Sequence, residues 1–148
     1  MEIFRITLTQ YARTLHASGR PNRWNFKGDK VIYTAGSRSL ACLENIVHSS
    51  GEALHQQFAV SVIYVPDKAS AEVIRLKDLP AHWNNRMRPR TCQQLGRKWL
   101  EEQSSLLLQV PSAIIPDEKN FILNPAHREF GKVKIIDVQE FIFDKRLL

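Results

Sequence analysis

The sequence is poor in what would mark several functional classes. It holds only two cysteines, Cys42 and Cys92. Both fall in stretches with helical patterning and read as small buried hydrophobes of a reducing compartment, not as a disulfide framework. No CxxC or HExxH spacing occurs and the five histidines are scattered, so no metal site is expected. No apolar run approaches the length of a membrane span. The opening MEIFRITLTQYARTL has no basic start followed by an apolar core, so it does not read as an export signal. The expectation is a cytoplasmic protein. Internal repeats, linkers and low-complexity segments are also missing, which leaves one domain over 1–148, long enough to bury a core without staples. Acidic residues are in deficit, 15 Asp and Glu against 21 Lys and Arg, for a net charge of +6. That balance favours an anionic partner: nucleic acid, a phosphate-bearing small molecule or an acidic protein.

What is present reads as strands and two helices. EIFRITL (Glu2–Leu8) patterns as an opening strand, and Tyr11–His16 as a short helix or turn. A loop rich in turn residues runs through Asn22, Asn25 and Gly28-Asp29, and KVIYT (Lys30–Thr34) is β-rich. Ser37 offers an N-cap. In the helix that follows, Leu40, Leu43 and Val47 form an apolar stripe. Glu44 lies about 40° around the axis from Leu40, at the edge of that stripe. FAVSVIYV (Phe58–Val65) is a strand, and Val73–Leu79 a short strand or turn. Thr91 and Gln94 match a capping box for a helix to about Gln103 that buries Leu95 and Trp99. Leu106–Val110 patterns as a central strand, Pro116–Asn124 as a turn region and Pro125–Phe130 as one helical turn. Lys132–Phe143 supplies one or two closing strands. Roughly five or six strands with two helices that do not alternate regularly argue an α+β fold, with central mixed or antiparallel sheets and flanking helices.

The stretch Gly19–His48 carries the residues best suited to chemistry. Arg23 on a loop, Tyr33 in a strand and Glu44 on a helix are spaced by ten and eleven residues. A guanidinium fork suits phosphate, an aromatic ring can stack on a flat ligand, and a half-desolvated carboxylate can stabilise developing positive charge. Each also has an ordinary reading: a solvated basic loop, a core tyrosine, and a surface glutamate paired with His48 at i+4. Ser112 follows an apolar strand at a Pro-Ser corner; no GxSxG surrounds it, which argues against an esterase nucleophile. Trp83 with Arg86, Arg88 and Arg90 forms a basic–aromatic run that could meet RNA, though such a run is more often a solvated loop.

Taken together, RWNFKGDKVIYTAGSRSLACLENIVH (Arg23–His48) resembles the core motif of the RES-domain proteins, toxin components of bacterial RES/Xre type II toxin–antitoxin systems. FRI (Phe4–Ile6), VPSAIIP (Val110–Pro116), NFILNPAH (Asn120–His127) and FDKRL (Phe143–Leu147) follow in the order of that family. The resemblance implies a fold similar to that of ADP-ribosyltransferases and an enzyme that cleaves the nicotinamide–ribose bond of NAD⁺. The family's arginine, tyrosine and glutamate fall on Arg23, Tyr33 and Glu44; Ser112 and Arg5 match positions that contact substrate. Pro21-Asn22 replaces the two glycines that many members carry before Arg23. NAD⁺ is implied as substrate, with inorganic phosphate a possible co-substrate and no resident cofactor. An Xre-family antitoxin is the implied partner, and direct binding to nucleic acid is not expected. Phosphorolysis, hydrolysis and transfer of ADP-ribose to a protein all remain open. In a different class, so does an RNA-binding or RNA-cleaving module built on Trp83–Arg90.

Overall fold

The computed structural model describes residues 1–49, 51–87 and 89–147. Arg88, one of the three arginines of the basic–aromatic run, lies outside them. Seven strands form a single sheet: β1 (Glu2–Leu8), β2 (Ile32–Ala35), β3 (Phe58–Tyr64), β4 (Ala71–Val73), β5 (Leu107–Pro111), β6 (Lys119–Leu123) and β7 (Lys134–Phe141). Their spatial order is β4-β5-β6-β2-β1-β3-β7. Only β4 and β5 run parallel; all other neighbours are antiparallel. Among the described residues two α-helices, α1 (Arg38–His48) and α2 (Arg90–Glu102), complete an α+β architecture.

Strand alternation sorts the core into faces. Ile3, Ile32, Ile63, Leu107 and Leu123 pack on one side of the sheet. On the other, Phe4, Ile6, Ala35, Val60 and Val62 meet Leu40 and Ala41 of α1. Leu108, Val110 and Ile122 meet Cys92 and Trp99 of α2 on that same side. Between these two helix-covered patches the sheet is joined weakly, because β1 and β2 pair in register only at Phe4↔Ala35. The parting creates a cleft.

Several sequence expectations shift. KVIYT starts its strand two residues late, at Ile32. The Pro116–Asn124 region is not all turn: Lys119–Leu123 is an interior strand, held by β2 on one side and β5 on the other. Its apolar segment is short and flanked by turn residues, so its strand character comes from these distant partners. The capping box at Thr91 does not form. α2 begins two residues earlier, after Pro89, with no side-chain cap, and its buried line is Cys92, Gly96 and Trp99. Ser37 does cap α1, accepting the Leu40 N–H at 3.1 Å. The buried face of α1, however, passes through Leu40 and Ala41, whereas Val47 is 46% exposed. Both cysteines are free, Cys92 buried and Cys42 half-buried, and burial pushes both thiols up from their ordinary values.

Candidate active site

The cleft holds a cavity of about 370 Å³, walled by Phe4, Arg5, Arg23, Tyr33, Glu44 and His48 among others. That size suits a small-molecule ligand. Four of the five residues singled out from sequence therefore meet at one place.

The wall that carries Arg23 is a loop organised by Asn25. This side chain is 1% exposed. Its Nδ2 donates to the carbonyls of Arg20, Phe26 and Asp29 at 2.8, 3.1 and 3.3 Å, and its Oδ1 accepts the Tyr33 hydroxyl at 2.7 Å. The Tyr33 oxygen in turn accepts the Trp24 N–H at 3.0 Å. Tyr33 thus presents its ring to the cavity and spends its hydroxyl on the loop; burial pushes the phenol well above its ordinary value, so it stays neutral.

Helix α2 clamps the same loop from behind. Gln93 donates to the Asn22 and Asn25 carbonyls at 3.0 and 3.2 Å. Arg97 grips Asp29 with two bonds of 2.9 and 3.1 Å and lies over the Phe26 ring at 4.4 Å. The backbone of Trp24 presses so closely on Gly96 that a Cβ there would sit 1.7 Å from the Trp24 carbonyl oxygen. Asn22 accepts the Arg23 N–H on its Oδ1 at 2.8 Å and stabilises the turn.

The Arg23 guanidinium donates from Nη1 to the carbonyl of Trp83 at 3.0 Å and, at 3.5 Å, to that of Asn85, and lies 5.8 Å from the Trp83 ring. The same guanidinium also acts on the buried Cys92 thiol, opposing the upward push of burial on its pKa. Arg5 lines the floor of the cavity where β1 and β2 part, and donates at 3.4 and 3.3 Å to the Thr14 and His16 carbonyls. Desolvation lowers its pKa. Among the described residues no carboxylate lies within ion-pair distance of Arg5 or Arg23, so neither guanidinium is directly paired.

Glu44 faces these cations from α1. Its Oε1 accepts the Ser112 hydroxyl at 3.0 Å and the Asn120 amide at 2.6 Å, and its Oε2 lies 3.5 Å from His48 Nε2. Burial pushes this carboxyl up, but the hydrogen bonds from His48, Asn120 and Ser112 outweigh it and hold the pKa below the ordinary glutamate value. The pairing with His48 expected of a surface glutamate is thus present, on a residue that also lines a cleft.

Ser112 is placed differently from the expectation of a substrate contact. It is 0% exposed. Its one proton goes to Glu44 while its oxygen accepts the Ile114 and Ile115 N–H groups at 3.1 and 3.3 Å. That exhausts a hydroxyl, so Ser112 supports the carboxylate from behind. The basic–aromatic run also divides. Trp83 is buried against Trp24 at 6.2 Å between ring centroids, whereas Arg86 and Asn84 reach the cavity. An exposed stacking platform for RNA is therefore not formed by Trp83. Sequence reasoning missed Asn120 as a partner of Glu44, although it opens the NFILNPAH motif. Among the described residues no group of three or more His, Cys, Asp or Glu side chains could hold a metal ion.

Comparison with known proteins places the chain in a family. The RES domain family model matches residues 2–144. A protein named "Prs ADP-ribosylating toxin" from Sphingobium sp. (strain YBL2) is 38% identical over 128 residues, 85% of this chain and 80% of its own. A protein named "Toxin Res" from Yersinia enterocolitica is 36% identical over 152 residues, 99% of both chains. The toxin–antitoxin complex MbcT–MbcA of M. tuberculosis contains a chain of the same fold, with a TM-score of 0.79 at 15% identity, over 95% of this chain and 84% of that one. Matched along nearly its whole length, the chain belongs to the RES-domain family.

Proposed function

We propose that this chain is a toxin that consumes NAD⁺ by breaking the bond between nicotinamide and ribose, and that a cognate Xre-family antitoxin neutralises it. One observation carries the reading: a hydrogen-bonded, ionised Glu44 shares a cavity with Arg5 and Arg23, which have no carboxylate partner among the described residues, and with the ring of Tyr33. A dinucleotide supplies what each of these wants. Its pyrophosphate takes the arginine forks, its nicotinamide ring lies against Tyr33, and its ribose meets Glu44.

In this reading the C1′–N bond breaks with its electron pair leaving on nicotinamide, which is thereby neutral. Positive charge grows on the ribose ring, and the Glu44 carboxylate stabilises it at fixed distance and at no cost in reorganisation. An acceptor oxygen then bonds to C1′; where that oxygen carries a proton, as in water, the proton passes to solvent. Inorganic phosphate, water or a protein side chain can fill that role. The name of the Sphingobium relative supports the protein acceptor as a second reading.

A single experiment separates these. Purified chain is incubated with NAD⁺ with and without inorganic phosphate, and with and without bacterial extract. Nicotinamide released only with phosphate identifies phosphorolysis, release in buffer alone identifies hydrolysis, and ADP-ribose on extract protein identifies transfer. NAD⁺ left intact in every arm refutes the proposal.

A further inference from the structure

We propose that Asn120 is a positioning residue for Glu44, binding one carboxylate oxygen together with Ser112 so that the other is left to the cavity. The inference rests on the reading of Glu44 as the group that faces the ribose.

Both donors come from the adjoining ends of β5 and β6. Asn120 sits in register with Val110 on one side and Ala35 on the other, directly beneath the start of α1. Ser112 follows β5 and is tied to the β6 side through its N–H, which donates to the Glu118 carbonyl at 2.9 Å. From there the hydroxyl and the amide converge on the same atom, Glu44 Oε1, at 3.0 and 2.6 Å. An oxygen that accepts two such bonds is fixed in place, and the plane of the carboxylate with it. The other oxygen, Oε2, has His48 Nε2 at 3.5 Å and no further partner among the described residues.

A second observation concerns the other end of the Asn120 amide. Asn120 Oδ1, like Thr7 Oγ1 and Asn124 Nδ2, is buried with no hydrogen-bond partner among the described residues. The side chain thus makes its contact with Glu44 at the expense of an unpaired carbonyl, which an apolar residue in the same strand would avoid.

The charge around Glu44 comes from elsewhere. His48 stands on the same helix, and Arg5, Arg23, Tyr33 and Arg86 line the cavity from β1, the Arg20–Asp29 loop, β2 and the segment before α2. Glu118 and Lys119, next to Asn120, are exposed. The β5–β6 side offers Glu44 two uncharged donors, so substitution at Asn120 changes hydrogen bonding without changing charge.

The test is Asn120→Ala, read by the titration of the Glu44 side-chain carboxyl in NMR alongside NAD⁺ turnover and thermal melting. We expect the Glu44 midpoint to rise by about one pH unit. The kcat should fall about tenfold with KM changed less than about twofold, and Tm should hold or rise. An unmoved titration overturns the proposal, as does a moved one with kcat unchanged. If the wild-type protein releases no nicotinamide, the functional proposal fails while the Glu44 titration still decides the role of Asn120. Should the alanine variant not fold, Asn120→Asp takes its place. Two carboxyls at this distance share a proton, so the pair should titrate in two steps with the upper one well above the ordinary range; two unshifted carboxyls overturn the proposal.

Discussion

Replacing Glu44 with glutamine isolates the charge from the shape. The glutamine carbonyl can take the place of Oε1 and still accept from Ser112 and Asn120, now at 3.0 and 2.6 Å, while its amide turns toward the cavity beside His48. Both bonds weaken on losing a charged acceptor, by about 1 kcal/mol each, but the side chain no longer buries a charge, which offsets a similar amount. The folded state should therefore change by no more than about 1 kcal/mol, or about 2–4 °C in Tm for a chain of this length. Turnover should suffer far more. A preorganised group aimed at developing charge is worth about a hundredfold to a thousandfold, about 3–4 kcal/mol of barrier. Nicotinamide release at saturating NAD⁺, measured chromatographically beside a thermal melt, reads both quantities. A variant that keeps kcat within about threefold of wild type, or that melts more than about 8 °C lower, would show that Glu44 holds the fold and not the reaction.

Other perturbations probe the rest of the cleft. Gly96→Ala places a methyl group 1.7 Å from the Trp24 carbonyl oxygen, a backbone atom that cannot swing away. It should cost about 2–3 kcal/mol and lower Tm by about 5 °C or more, with activity falling as Arg23 is displaced; an unchanged melt would show the loop to be loosely held. Arg23→Lys cannot both reach the Trp83 carbonyl and present a fork to phosphate, so KM for NAD⁺ should rise about tenfold or more; a KM within twofold would remove Arg23 from phosphate binding. The depressed Glu44 pKa carries a definite sign. The carboxylate contributes stability above its unfolded value of about 4.3, and that contribution is lost as pH falls through the lower folded value. The acid limb of kcat/KM should accordingly lie below about pH 4.3; a limb above pH 5 would mean the wild-type carboxyl is not held ionised.

Which parts of this site could be read from sequence depends on how local their causes are. The Ser37 cap is a contact between residues three apart, and it forms as expected. β1 and β3 are long runs whose patterning survives any context, and they pair along seven registered positions. β6 fails as a sequence reading because its pairings join it to Ile32–Ala35 and Leu107–Pro111, far away in the chain. The stripe on α1 misleads for another reason. Part of the helix packs on the sheet and part borders the cavity, so the apolar arc is wider than the buried one, and Val47 lies on the open side.

The same distinction separates the identity of the site residues from their wiring. Arg23, Tyr33 and Glu44 could be picked out because each residue type has a chemistry of its own and each stands in a different element. Whether a hydroxyl such as Ser112 points at a ligand or behind a carboxylate is a matter of a single rotamer and of two N–H groups in the following turn, which no spacing encodes. Helix geometry alone placed Glu44 at the border of the core, and that border is what permits its chemistry. Deeper, it would have lost its charge to desolvation; farther out, water would have screened it. At the edge, the helix supplies His48 and the sheet supplies Ser112 and Asn120, so the carboxylate stays ionised in a half-dry cleft. A glutamate one position along α1, where Asn45 instead bonds the Ile6 and Ala41 carbonyls, would meet acceptors and no donors, and could not do the same.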